Sequence, residues 1–369
     1  MLRVAPRYAP TVSVPYHRLF RVSPRHRWWR PLVALAIFAG LYLVSQVLIA
    51  IGFFVPILAT SGAAGLSKFA RELQDDALSS TDPVVLALTL VSLILLLPAI
   101  MWSVKLARLG PYGQLSSIRL RLRWGWMAKC LLPLLVLAII TVGIQSWGTF
   151  SVSGGGLAWN HAAIGQSTVT MQTLVITIVM VILLVPFQAA AEEYIFRGFL
   201  MQMIGSWIRT PWVGIGVSTL VFAVLHVPNG YNIWGIVDVG SFGLISALLV
   251  WRTGGLEAGI LAHALNNTVI FVLQAPGWSK VDTSSSNGSW QGAAVTIVTL
   301  GLYWLMVEGM ARWTHLERRR PGTEAPRFTG TVPPWADSAS DGWEAAPALS
   351  GPASGSPVPR AGEASIHTS

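Results

Sequence analysis

AEEYIFRGFL, residues 191–200, sets Glu192, Glu193 and Arg197 directly after an apolar run from Leu174 to Ala191. A charged side chain at the centre of a membrane helix costs about 2.5–3.5 kcal/mol on insertion scales, so such residues are rare unless a site needs them. Three of them fall within six positions here. On a helix, Glu193 and Arg197 are four apart and pair along one face, whereas Glu192 points about 100° away and is left a free carboxylate.

The rest of the chain supplies the medium for that stretch. Of 369 residues, 53% are hydrophobic and only 11% are charged, where soluble domains carry about 25% charged residues. Mean hydropathy is +0.57. These values predict an all-α, polytopic membrane bundle. The net charge of +9 does not point to nucleic acid, because the arginines flank apolar spans, where basic residues set membrane orientation. The one cysteine, Cys130, lies in an apolar span, so neither a disulfide framework nor a cysteine-rich metal site is expected.

Eight spans are predicted with both termini cytoplasmic. Residues 1–30 hold seven arginines and no acid, and form a basic segment at the inner face. Spans follow at 31–59, 83–103, 128–147, 170–208, 211–227, 233–251, 256–274 and 292–310, each near or above the roughly 20 residues a crossing needs. The loop holding Lys105, Arg108, Arg119, Arg121, Arg123 and Lys129 is purely basic and belongs inside, as do Arg312 and Arg318 to Arg320. The segment 60–82, with four acids, and the uncharged Gly- and Ser-containing loop 148–168 fit the outer face. By domain, 31–168 holds the first transmembrane helices, 169–275 the chemical core, and 276–320 the last helix and its basic end. The Pro-, Ala-, Gly- and Ser-rich stretch 321–369 is expected to be a disordered tail.

The fourth span is too long for one crossing and is expected to kink at Pro186. With a turn at Arg209–Pro211, Glu192 lies about 27 Å before Thr210 and His226 about 24 Å after it at ~1.5 Å per residue, so the two can meet at one depth. The fifth span carries FAVLH, with Phe222 and His226 four apart, and the seventh carries HALNN, with His263 and Asn267 four apart. Peptide hydrolysis needs a base for water and donors for the oxyanion. Glu192 and His226 suit the first task, His263 and Asn267 the second. Any one of these His or Asn residues could instead be an interhelical hydrogen bond worth about 0.6 kcal/mol. Their coincidence with the diacidic run favours a site, with Glu193, Arg197 and Phe222 as its structural support. Asp238 is a further intramembrane acid without a motif, Glu308 and Arg312 form an i,i+4 pair, and Glu257 occupies a first helical turn.

Glu-Glu-x-x-x-Arg at 192–197, Phe-x-x-x-His at 222–226 and His-x-x-x-Asn at 263–267, in that order and with RTGG at 252–255, resemble the CPBP family. These are the CAAX-protease and bacteriocin-processing, or Abi, intramembrane proteases, and the match covers about Val181 to Leu273. The resemblance implies a membrane-embedded endopeptidase in which Glu192 and His226 activate water while His263 and Asn267 stabilise the oxyanion. Its substrate would be a membrane-associated protein or peptide. Zinc held by Glu192, His226 and His263 is the alternative chemistry, although no HExxH helix is present; a metal-free mechanism is preferred. The competing class is a non-enzymatic membrane protein, a transporter or an immunity-type binding protein. A transporter would show broken helices in both halves, and here the polar residues crowd into the second.

Overall fold

The computed structural model describes residues 13–76, 82–147, 150–153, 156–159, 169–229, 231–275 and 290–321. The expected tail and the loop 276–289 lie outside them. The described chain is a helical membrane bundle. Its helices are α1 (Arg30–Asp76), α2 (Pro83–Ile94), α3 (Leu96–Leu106), α4 (Trp124–Trp147), α5 (Met171–Glu193), α6 (Met201–Trp207), α7 (Pro211–Leu225), α8 (Ile233–Thr253), α9 (Glu257–Gln274) and α10 (Trp290–Trp313). Helix occupies all eight expected span positions. Five stretches are long and apolar enough to cross a membrane, at 30–71, 83–106, 171–207, 233–253 and 292–313, and shorter apolar helices cover 124–140 and 211–225.

Differences from the sequence reading have local causes. The acidic segment after the first span, expected as a loop, continues as helix to Asp76 after an interruption at Gly62 (φ 63°, ψ −167°). Its Ala, Leu, Lys, Glu and Gln residues are good helix formers. The second span breaks at Leu95 into α2 and α3, where Pro98 has no N–H to offer the carbonyl four residues back. By contrast α5 runs through Pro186 without a break in its helical assignment. The irregularity comes later, as a π-helical turn over Tyr194–Leu200 that joins α5 to α6. Part of the expected outer loop forms a hairpin, with β2 (Phe150–Ser153) antiparallel to β3 (Gly156–Trp159).

The described part of the basic N-terminal segment is packed into the bundle. Val14 and Pro15 (β1) pair antiparallel with Arg320 and Arg319 (β4), drawing together the two ends of the described chain. A 3-10 helix, Tyr16–Val22, follows with Tyr16, Leu19 and Phe20 buried. The Tyr16 hydroxyl donates to the Leu115 carbonyl, Arg18 donates to the Gly205 carbonyl at 3.2 Å, and the Trp207 indole N–H donates to the Trp28 carbonyl at 2.7 Å. Gly205 permits the approach, because a Cβ there would stand 1.9 Å from the His17 carbonyl oxygen. Burial, together with Arg21, Arg27 and Arg30, pushes His26 down to about 4. It is therefore neutral at pH 7, consistent with Arg21 Nη1 donating to its Nε2 at 3.4 Å.

The basic loop after α3 is fixed by acids from later helices. Arg123 grips Glu257, at the start of α9, with both Nε and Nη2 at 2.8 Å, and its backbone N–H donates to the same carboxylate. Glu308 gathers Arg252 (2.5 Å), Arg312 (2.8 Å) and Arg318 (3.0 Å), so the expected i,i+4 pair is one part of a four-residue knot. Two apolar clusters flank the π turn. Tyr194 and Phe199 join Tyr16, Phe20, Ile100 and Leu115 on one side, while Phe196 joins Phe222, Phe242, Leu249 and Tyr303 on the other.

Candidate active site

Glu192 and Glu193 close α5, and the π turn that follows turns Phe196 and Arg197 inward with Tyr194 and Phe199. Such turns inside helices recur at functional sites, since the extra residue re-aims the side chains around it. Helices α5 and α9 pack extensively along one another, and α8 packs against α7, α9 and α10. Helices α8 and α9 thereby bring polar side chains to the diacidic run.

Glu193 and Arg197 are fully buried and form the expected i,i+4 pair, Nη1 to Oε1, at 2.8 Å. The same carboxylate accepts from Ser246 of α8 at 2.6 Å and faces His263 Nδ1 of α9 at 3.0 Å. Arg197 Nε and Nη2 have no hydrogen-bond partner. Its guanidinium instead lies 4.3 Å from the Phe222 ring centroid and 5.8 Å from those of Phe196 and Phe242, where the negative ring faces supply attraction. Burial of this ion pair is thus supported by three donors on the acid and three rings on the base.

Glu192 is only 8% exposed and is not without a partner, as helix spacing to Arg197 alone had suggested. Gln188, one turn earlier on α5, donates to its Oε1 at 2.5 Å. Its other oxygen, Oε2, is buried without a hydrogen-bond partner and stands 3.6 Å from His263 Nε2. The Asn267 side-chain amide donates to the side-chain oxygen Oε1 of Gln188 at 3.1 Å. A continuous polar chain therefore runs Asn267, Gln188, Glu192, His263, Glu193, Arg197. Five of the proposed residues lie on it: Glu192 and Glu193 of α5, Arg197 of the π turn, and His263 and Asn267 of α9.

His226 is placed differently. It caps the C-terminus of α7 and its Nδ1 lies 2.8 Å from the Phe222 carbonyl. A carbonyl only accepts, so Nδ1 carries the proton and a neutral His226 presents Nε2 as an acceptor. Its ring packs at a tilt against Phe222, with centroids 4.5 Å apart, and Phe222 also meets the His263 ring edge-on at 6.0 Å. Among the described residues no hydrogen bond joins His226 to Glu192; the link runs through Phe222, which is 2% exposed. The same reasoning applies to His263, whose Nδ1–H is held by the Glu193 carboxylate, leaving Nε2 turned toward Glu192.

Among the described residues no three His, Cys, Asp or Glu side chains are grouped to hold a metal ion; Nδ1 of His226 and of His263 each faces an oxygen acceptor, which leaves Nε2 of both rings open. Asp238, the other intramembrane acid, belongs to α8 and takes no part in the polar chain; its hydrogen-bond partner is Thr296 of α10.

Three contributors carry no motif that a sequence reading could use. Gln188 shares the Glu192 face at i,i+4, which is the only signal it gives. Ser246 is a lone hydroxyl in an apolar helix. Gly259 lies one turn before His263, and a Cβ there would sit 2.7 Å from Ser246 Oγ and 3.1 Å from Glu193 Oε2. Gly259→Ala should therefore break the Ser246 hydrogen bond and cost about 1–3 kcal/mol, read as a lowered melting temperature in detergent. Adding Ser246→Ala removes the colliding oxygen and should recover part of that loss. Equal melting temperatures for wild type and Gly259→Ala would contradict the packing described.

Residues 172–269 match the family described as type II CAAX prenyl endopeptidase, Rce1-like. They span α5 to α9 almost entirely and contain every residue of the polar chain. A protein of Bacillus subtilis (strain 168), the uncharacterized protein YyaK, is 25% identical over 305 residues, which is 78% of this chain and 92% of that protein. No solved structure matches the chain.

Proposed function

We propose that this chain, a multi-pass membrane protein whose segment 172–269 is Rce1-like, is an intramembrane endopeptidase that hydrolyses a peptide bond of a membrane-associated protein or peptide. The family supports a membrane protease of the CAAX type in general. The observation that carries the finer reading is the unpartnered, buried Oε2 of Glu192 beside His263 Nε2.

In this reading Glu192, assisted by the acceptor Nε2 of His226, takes a proton from water, and the hydroxide adds to the scissile carbonyl. His263 Nε2, 3.6 Å from Glu192, receives that proton in turn, while Glu193 on Nδ1 stabilises the imidazolium. So charged, His263 joins the Asn267 amide as a donor to the oxyanion. Collapse of the tetrahedral intermediate breaks the C–N bond, and the proton passes to the leaving amine. Gln188 holds Glu192 and Asn267 in register. No metal takes part. The chain lies in the cell membrane with both termini cytoplasmic.

Purified protein in detergent, given a pool of membrane peptides and read by mass spectrometry for new termini, tests this reading. Cleavage should persist at an undiminished rate after divalent ions are stripped with a chelator. Loss of cleavage that returns on adding zinc would keep the protease and replace the metal-free mechanism.

A further inference from the structure

Residues 112–123, between α3 and α4, precede the segment 172–269 that matches the family, yet they hold the π turn, the end of α8 and the start of α9 at once. The Ser116 and Tyr194 hydroxyls share a buried hydrogen bond of 2.6 Å. The carbonyl of the same Ser116 accepts from the Leu256 N–H, just before α9, at 2.9 Å. The Ile118 N–H donates to the carbonyl of Gly254, which caps α8, at 2.9 Å, and Ser117 bridges antiparallel to Gly255. Gln202 of α6 donates to the Gln114 carbonyl at 2.9 Å. Arg123, which grips Glu257, also donates to the Thr253 carbonyl at 3.0 Å.

This loop is closed tightly on itself. A Cβ on Gly113 would stand 2.0 Å from the Leu120 carbonyl oxygen, and Leu120 is held at φ 59°, a left-handed conformation that a leucine keeps only where its surroundings impose it. Ser116 and Ser117 are buried. Ser116 ties α5 to α9 through one residue, with its side chain on the first and its backbone on the second. Tyr194 follows Glu193 directly, and Leu256 lies two helical turns, about 10 Å, before His263. The two branches meet again where His263 Nδ1 faces Glu193 at 3.0 Å. Apolar packing holds α5 and α9 side by side, whereas a bond at their ends fixes how far one has slid along the other. That slide matters, because His263 Nε2 and Glu192 Oε2 stand 3.6 Å apart, just beyond hydrogen-bond length.

We propose that Ser116 is a positioning residue for the reaction: by bonding Tyr194 and Leu256 together it sets the register of α5 against α9, and with it the separation of Glu192 and Glu193 from His263. Ser116 touches neither substrate nor the polar chain itself. Its effect on rate rests on the hydrolytic role proposed above, whereas its effect on His263 does not.

The test uses full-length protein in detergent, labelled with ¹⁵N at histidine, and follows by NMR the Nδ1 proton of His263, which faces Glu193, with that of His226 on α7 as the internal reference. Ser116→Ala removes one hydroxyl of the tie; Tyr194→Phe removes the other and keeps the ring in the core. Each should displace or broaden the His263 proton and leave that of His226 in place. On membrane peptides, both should lower kcat about tenfold with KM unchanged, since a misplacement of 1 Å can cost about 100-fold. The double variant should be no slower than either single one, because all three lack the same bond. A displaced His263 proton in a protein that cleaves no peptide would keep the positioning role and refute the protease. An unmoved His263 proton in both variants, each shown to be folded by melting, would overturn the positioning role whatever the rate.

Discussion

Arg197→Ala should leave little folded protein in detergent. Arg197 and Glu193 are both fully buried, and removing one partner of such a pair strands the other charge, at a typical cost of about 3–5 kcal/mol. Domains are stable by only about 5–15 kcal/mol, so a loss of that size takes a large part of the total. The substitution also empties the space between Phe196, Phe222 and Phe242, which the guanidinium fills. Arg197→Lys retains the charge but not the planar group that lies on Phe222, and should fall between the two. The monodisperse fraction by size exclusion and the melting temperature measure the effect. If Arg197→Ala folded at wild-type level and lost all cleavage, Arg197 would belong to the chemistry and not to its support.

A second large effect is expected at Glu192, and here the fold should survive. Glu192 makes no ion pair with an arginine or lysine among the described residues, and Glu192→Gln can still accept from Gln188. Loss of a general base costs about 100- to 10,000-fold in rate, and a base that no neighbour replaces should lie at the upper end. His226→Ala should follow it. Asn267→Ala removes one oxyanion donor, worth about 100- to 1,000-fold, so it should keep measurable turnover where Glu192→Ala keeps almost none. The reverse order would assign Asn267 a larger part than Glu192.

Much of this bundle is legible in the sequence because membrane helices announce themselves by apolar length. The eight predicted spans all coincide with helix, and the Glu193–Arg197 and Glu308–Arg312 pairs follow from four-residue spacing. What spacing on one helix cannot show is contact between helices. Ser246 and His263 reach Glu193 from α8 and α9, and Arg252 and Arg318 join Glu308 from other segments. Gln188 and Gly259 escaped notice because a lone amide or glycine in an apolar helix has no pattern; each matters only through what stands opposite it. The π turn left no signal either, since its residues, YIFRGFL, read as ordinary helix. The packing of Tyr16–Val22 was hidden by composition: a run of arginines reads as an inner-face anchor, although Tyr16, Leu19 and Phe20 among them are core residues.

The account turns on whether Glu192 activates water for peptide hydrolysis. The most direct measurement compares wild type and Glu192→Gln, both shown to be folded by size exclusion and melting, on the same pool of membrane peptides, with new termini read by mass spectrometry. Wild type should generate termini that the variant does not. The same termini from both proteins, or none from either across a broad pool, would contradict it and return the polar chain to a binding or transport role.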